Sequence, residues 1–497
     1  MSKAPGFLPT LPFNAVDEAV RLLDSPTEPW SIQLELRVSG RLDESRLRAA
    51  LGQALARHPM IRARQLPANA RDRQYCWEIT PEPNLDPLRV IECPDDDALA
   101  LARADLYSLS VPLAESPPLR VRLVRHPAGD LVMLNVNHAA FDGFGCLRVL
   151  HSTARAYART EDPLPDIELT AARRVQSNLA TNDLRTRARR LAGVAQKLGD
   201  LALAPARIVS EQGSDRPGYG FYHTSLSAEQ TQTLSTKAHG GTINDVLVAA
   251  LNLAITGWNC DHGTGTDRIS IIVPVNFRPR QWREEMAVNY VLMTWVTTTA
   301  TDRRSPKATL EAVAAQTKSI KTTGRGTTLV EVLALSPRLP LWAKQSLSPL
   351  LRLTGSRLID TAQLSNLGQL DSAPSFGPDH RGVVFSTSSD AVRTLPGRGN
   401  RRRAHAPGLP VPTPSVRTRR RQPLRPALSS RARPPGTRRH AENVAARRRG
   451  QGPSASMPHC DPCTWLASGR AHRRDGIPAS AHLSWDTITS VALSRVL

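Results

Sequence analysis

His138 and Asp142 stand four residues apart, with Gly143 directly after, in the stretch Asn135-Val-Asn-His-Ala-Ala-Phe-Asp-Gly143. A neutral imidazole can take the proton from a hydroxyl, amine or thiol as that group attacks a carbonyl. Such general-base assistance is worth about 10²–10⁴ in rate, and histidine suits it because its ordinary pKa lies near neutrality. Asp142 can fix the turn by pairing with a cation, and Gly143 lets the backbone bend tightly or lets substrate approach. The plainer roles for the same residues are a hydrogen-bonded histidine at a strand end and an aspartate that caps the next helix.

The flanking residues say what must hold this group. Leu131, Val132, Met133, Leu134 and Val136 are apolar on both faces of an extended chain, as in a strand covered on both sides. Leu147, Leu150, Ala154 and Tyr157 then recur at helical spacing. His138 is therefore expected where a strand stops and a turn leads into a helix, a rigid support for a base.

The stretch resembles the HHxxxDG motif of the condensation-domain superfamily of acyltransferases, which includes chloramphenicol acetyltransferase. Three further segments resemble that superfamily in the right order. Gly241-Thr-Ile-Asn-Asp-Val-Leu-Val-Ala-Ala-Leu251 is similar to its TxNDV helix start, and Thr242 and Asn244 are good helix-start residues in their own right. Ile269-Ser-Ile-Ile-Val-Pro-Val-Asn-Phe-Arg278 resembles a strand of the wax ester synthase/diacylglycerol acyltransferase-like branch, and Leu364-Ser-Asn-Leu-Gly368 resembles an SNxG segment. Leu47 to Arg64 reads as an amphipathic helix typical of the N-terminal region. The likeness spans roughly residues 5 to 385 and points most closely to that branch and to the polyketide-associated acyltransferases.

The resemblance implies an α/β fold of two chloramphenicol-acetyltransferase-like lobes around a central channel: residues 1–170 and 215–390, joined by a basic crossover linker at 171–214 and followed by a tail at 391–497. It implies that His138 is catalytic and that Asp142 is structural, bonded to an arginine. Arg278 is the expected partner, with Arg280 as competitor. The first motif histidine is replaced by Asn137, which on an extended strand points away from His138 and so alters support rather than the base. Asn137, Asn244, Asn276, Ser365 and Asn366 are the candidates to line the channel or stabilise an oxyanion. The activity implied is acyl transfer from acyl-CoA or a phosphopantetheinyl carrier-protein arm to an alcohol or amine. The thioester is a co-substrate; no bound cofactor and no metal site are expected. Cys146 belongs to the core of its helix. A catalytically inactive condensation-like binding protein is the alternative.

Charge separates the body from the tail. The net charge is +21 over 497 residues, yet residues 391–497 hold 21 arginines, no lysine and four acidic residues, leaving 44 basic and 40 acidic residues in the rest. With 13 prolines and neither Phe nor Tyr, the tail cannot bury enough apolar surface to offset chain entropy and is expected to be disordered. A GC-rich gene read out of frame yields this composition, so the true sequence is expected to be lost near residue 385. The arginines invite a nucleic-acid reading, but the near absence of stacking aromatics argues against it. The Cys460/Cys463 pair has no second pair to complete a zinc site.

In the linker, Arg173, Arg174, Arg185, Arg187, Arg189, Arg190 and Lys197 interleave with Leu184, Leu191, Val194, Leu198 and Leu201 at helical spacing. The expectation is a crossover helix with its leucines on the protein and its arginines in water; a weak contact with a membrane surface is the alternative. Six cysteines, four of them singly scattered, and a start without an apolar signal core suggest a reducing, cytoplasmic setting, with peripheral membrane contact left open.

Overall fold

The computed structural model of the chain describes residues 10–24, 29–164, 168–175, 181–199, 204–209, 220–221, 226–236, 240–279, 282, 289–323, 338–346, 360–367, 373–380, 382–390, 491–492 and 494–495. The fold is mixed α/β. Its first sheet is built from β1 (Trp30–Val38), β2 (Leu88–Glu92), β3 (Leu119–Arg125) and β4 (Leu131–Asn137). β4 lies inside this sheet, antiparallel to both β1 and β3, while β2 and β3 run parallel.

Every residue of β4 is buried, as its two-sided apolar sequence requires. Val132, Leu134 and Val136 face the main core, which they share with Leu47 and Leu51 of helix α1 (Glu44–Arg57) and Leu147 and Leu150 of helix α3 (Gly143–Ala158). Leu131 and Met133 face a smaller cluster with Leu99, Leu106 and Tyr107 of α2 (Asp96–Tyr107). On that second face β1 carries Gln33 and Glu35, both fully buried. Glu35 receives two hydrogen bonds of 2.8 Å from Arg103, and Gln33 donates to the Tyr107 carbonyl at 3.1 Å. An alternating apolar/polar strand is thus covered on both sides because its polar face finds its partners within the protein.

The helix expected from Leu47 to Arg64 ends at Arg57, with a 3₁₀ turn at Pro59–Arg62. Pro59 forces the residue before it out of helical conformation, and His58 is extended at φ −115° and ψ 99°.

The second sheet pairs β5 (Arg268–Asn276) antiparallel with β6 (Val291–Thr299), and β7 (Ala362–Gln363) runs parallel to β5. Helices α5 (Ile243–Asp261) and α6 (Pro306–Thr323) supply Val248, Leu251, Ile255 and Val313 to its core. The connecting helix is α4 (Leu184–Gly199). No described helix is long and apolar enough to cross a membrane.

Three findings differ from the expected boundaries. β9 (Gly382–Asp390) falls within the range expected for the second lobe, yet it forms the edge of the first sheet, antiparallel to β1 from Gly382 opposite Val38 to Asp390 opposite Trp30. It runs without a break past position 385. β8 (Ser365–Asn366) pairs with β10 (Val491–Ala492), and Ser494–Arg495 pairs with Gly220–Phe221, so the two short strands described at the end of the chain join the body. The rest of the expected tail, with Cys460 and Cys463, lies outside the described residues.

The linker corrects a third expectation. Arg173 is buried and its guanidinium bonds Asp17 at 2.7 Å. Arg190 is buried too and Leu184 and Leu191 of the same linker are exposed, against the orientation expected. Arg174, Arg185, Arg187 and Arg189 are exposed as expected, and Val194 is half-buried. Leu201 and the side chain of Leu198 lie outside the described residues.

Candidate active site

Residues 138–142 link β4 to α3. The His138 N–H donates to the Trp30 carbonyl at 3.0 Å, which extends the β4–β1 pairing by one residue before the chain turns. Asn137 then builds the turn. Its side-chain oxygen accepts the Ala139 N–H at 3.0 Å, and its amide donates to Val111 O at 2.9 Å and to Asp24 at 3.0 Å. Asn137 is therefore committed to support on the face away from His138, and its three bonds argue against a role in a channel.

Asp142 joins the two halves of the chain. One carboxylate oxygen accepts the Gly145 N–H at 3.0 Å as the α3 cap and also meets Arg278 Nη2 at 3.2 Å. The other accepts the Tyr290 N–H at 3.0 Å. Both charged side chains are buried, at 0% exposure for Asp142 and 1% for Arg278. The two roles considered for Asp142, helix cap and arginine partner, are held by one carboxylate. Arg280 lies outside the described residues.

The glycine at 143 is explained by space. A Cβ on Gly143 would come within 3.0 Å of Leu367 Cδ2, which lays the segment after Ser365 and Asn366 against the start of α3. Gly145 is tighter still, because a Cβ there would sit 2.9 Å from the Phe141 Cβ. Cys146 is fully buried, and burial holds its thiol pKa well above the ordinary value, so it is core.

The residue that sequence reasoning missed is Asn289. It is fully buried, and its amide nitrogen donates to the His138 carbonyl at 2.9 Å and lies 3.2 Å from His138 Nδ1. The carbonyl contact orients the amide, since the flipped form would set two oxygens 2.9 Å apart. With its NH₂ group facing Nδ1, Asn289 favours the neutral tautomer in which Nδ1 accepts and Nε2 carries the hydrogen. His138 itself is 4% exposed. The available signal was a polar residue just ahead of an apolar strand, at Asn289-Tyr290-Val291.

The remaining candidates take varied roles. Asn276 is exposed, and its side-chain oxygen accepts the Arg278 N–H at 2.9 Å, a turn that aims Arg278. Asn244 is half-buried in the first turn of α5, whose cap is Thr242 paired with Asp245 rather than with Asn244. Ser365 and Asn366 are half-buried in β8 beside Leu367. Gly368 lies outside the described residues.

The geometry brings His138, Asp142, Arg278 and Asn289 together from both halves of the chain. The model of the condensation domain matches residues 19–352. A Mycobacterium tuberculosis protein, Uncharacterized protein Rv2305, is 34% identical over 393 residues, covering 78% of this chain and 90% of its own. Among solved structures, the first condensation domain of the CDA synthetase superposes with a TM-score of 0.55 at 17% identity, over 77% of this chain and 85% of that one. The nonribosomal peptide synthetase FmoA3 matches with a TM-score of 0.53 at 18% identity, over 78% of this chain and 39% of that one. The buried clamp between the halves and these likenesses agree: this chain belongs to the condensation-domain family.

Proposed function

We propose that the chain transfers an acyl group from a thioester, acyl-CoA or a carrier-protein arm, to a hydroxyl or amine, with His138 handling the acceptor's proton. Family membership supports the coarse reading of acyl transfer. The observation that carries the finer one is the fixed imidazole. His138 ends a buried strand, and Asn289 of the other half holds both its carbonyl and its Nδ1. That leaves Nε2 as the ring atom for a reacting group.

In the base mechanism the ring hydrogen must sit on Nδ1, with the Asn289 amide bonded to the His138 carbonyl alone. The acceptor oxygen or nitrogen then attacks the thioester carbon while the free Nε2 takes its proton. The tetrahedral intermediate then breaks its C–S bond, and the imidazolium returns the proton to the departing thiolate. No acyl-enzyme is needed, and Cys146 is too deeply buried to form one. Alignment of donor and acceptor supplies the rest of the acceleration.

A second reading of the same residue is favoured by the Asn289 contact. An Nε2–H tautomer donates instead of accepting, and its hydrogen bond would stabilise the oxygen of the tetrahedral intermediate. Both readings predict that His138→Ala lowers turnover at least about a hundredfold. The test is mass spectrometry of products from a panel of acyl-CoA and carrier-protein thioesters with alcohol and amine acceptors, with circular dichroism to confirm the fold. Undiminished turnover of the variant would remove His138 from the chemistry. No turnover by the parent chain with any donor would favour the binding-protein alternative.

A further inference from the structure

The helix α4 turns its leucines outward and buries one of its arginines. At 100° per residue, Leu184, Ala188, Leu191 and Ala195 fall within an arc of about 60°, and all four are exposed. Leu184 is 75% exposed and Leu191 54%. The side turned toward the protein carries buried Arg190 and half-buried Thr186, Gly193 and Val194. A helix on the surface of a globular protein shows the opposite arrangement, with its apolar stripe on the core.

The charge around the stripe identifies what covers it. Arg185 and Arg187 border it on its two sides, Arg189 lies beyond, and all three are exposed. From Leu184 to Gly199 there are four arginines, one lysine and no acidic residue. Leucines in the middle with arginines at the margins match a lipid interface, where acyl chains take the apolar stripe and long cationic side chains reach the headgroups. Each such cation gains from a negatively charged leaflet.

We propose that α4 is an interfacial helix that lays the Leu184–Ala195 stripe on an anionic lipid bilayer. The proposal stands apart from the acyl-transfer reading, since it rests on no residue of the His138 site. It places the body of the protein on a lipid surface through a described element, independently of the arginines in the tail.

The test must separate helix from tail, so its readout is local. The full chain is mixed with vesicles of phosphatidylcholine containing about a quarter phosphatidylglycerol, and hydrogen–deuterium exchange is followed by mass spectrometry. Residues 184–199 should gain protection with these vesicles and little with pure phosphatidylcholine. Leu184→Ser/Leu191→Ser should erase that protection and lower vesicle partition in high salt roughly tenfold or more. Arg185→Gln/Arg189→Gln, which keeps the leucines, should weaken partition at low salt by roughly tenfold. Vesicle binding without protection of 184–199 would overturn the proposal in favour of the tail alone. Protection that rises with protein concentration in the absence of lipid would overturn it in favour of a second copy of the chain.

Discussion

Asn289→Ala tests whether the imidazole of His138 is held by choice or by accident of packing. The substitution deletes the donor 2.9 Å from the His138 carbonyl and 3.2 Å from Nδ1, at a site where Asn289 is fully buried. An orphaned buried acceptor costs about 1–3 kcal/mol, so two of them lower stability by roughly 2–6 kcal/mol. Freed of its tautomer lock, the ring loses one hydrogen bond's worth of orientation, about 1–2 kcal/mol, or roughly 5- to 30-fold in kcat/KM. Asn289→Asp then divides the two mechanisms. A carboxylate beside Nδ1 draws the hydrogen onto Nδ1, frees Nε2 to accept and favours the charged ring. If His138 is a base, Asn289→Asp outperforms Asn289→Ala and the acidic limb of its pH profile moves up. If His138 is a donor, Asn289→Asp falls below Asn289→Ala. The assay is kcat/KM for thioester consumption across about pH 5.5 to 9, with histidine-selective nitrogen NMR to report which ring nitrogen carries the hydrogen. An Asn289→Ala chain that is less stable yet keeps kcat/KM and its pH profile within about twofold would refute the argument and reduce Asn289 to a strut.

Two further outcomes follow from buried charge. Arg278→Met removes the cation from Asp142 and leaves a buried carboxylate whose remaining donors among the described residues are the Gly145 and Tyr290 N–H groups. Urea denaturation should show a loss of about 3–5 kcal/mol, and a loss below 1 kcal/mol would mean that Arg278 contributes little to the join between the halves. Acid sensitivity comes from a second cluster: burial, then Arg148 and Arg57, lower the pKa of His58 to about 4, and burial, then Arg155 and Arg148, lower that of His151 to about 4. His58 Nε2 lies 2.7 Å from Ser152 Oγ, within reach of the Asp162 ion pairs. Unfolded histidine titrates near 6.5, so the unfolded chain binds more protons between about pH 6.5 and 4, and stability falls as pH drops through that window. For two such groups the loss from pH 7 to 5 is about 3–4 kcal/mol. Melting curves should show it, and His58→Gln should flatten the slope; a melting temperature unchanged between those pH values would contradict it.

The parts of this fold that could be read from sequence are those where one local pattern had one use. The apolar run of β4, the helical spacing of Leu147, Leu150, Ala154 and Tyr157, and the His138–Asp142 turn between them are each decided by residues close in the chain. Asn137 was legible for the same reason, because alternation along a strand assigns its face. What escaped depended on contacts between distant segments. Asn289 reaches His138 across 151 positions, and nothing near it in the chain announces the partner. Asn276 carried the same residue type as the other asparagine candidates, yet its oxygen is committed to the Arg278 N–H two residues on. The α4 stripe shows the limit most sharply. Periodicity identified an amphipathic helix and its apolar face correctly, but periodicity gives the angle between faces and says nothing of which one meets the protein. Only the burial of Arg190 beside exposed Leu184 and Leu191 reverses the usual assignment. A helix whose pattern is ordinary and whose orientation is reversed carries its information in tertiary structure alone, and for that reason the lipid surface enters as a question about α4 and not about the composition of the chain.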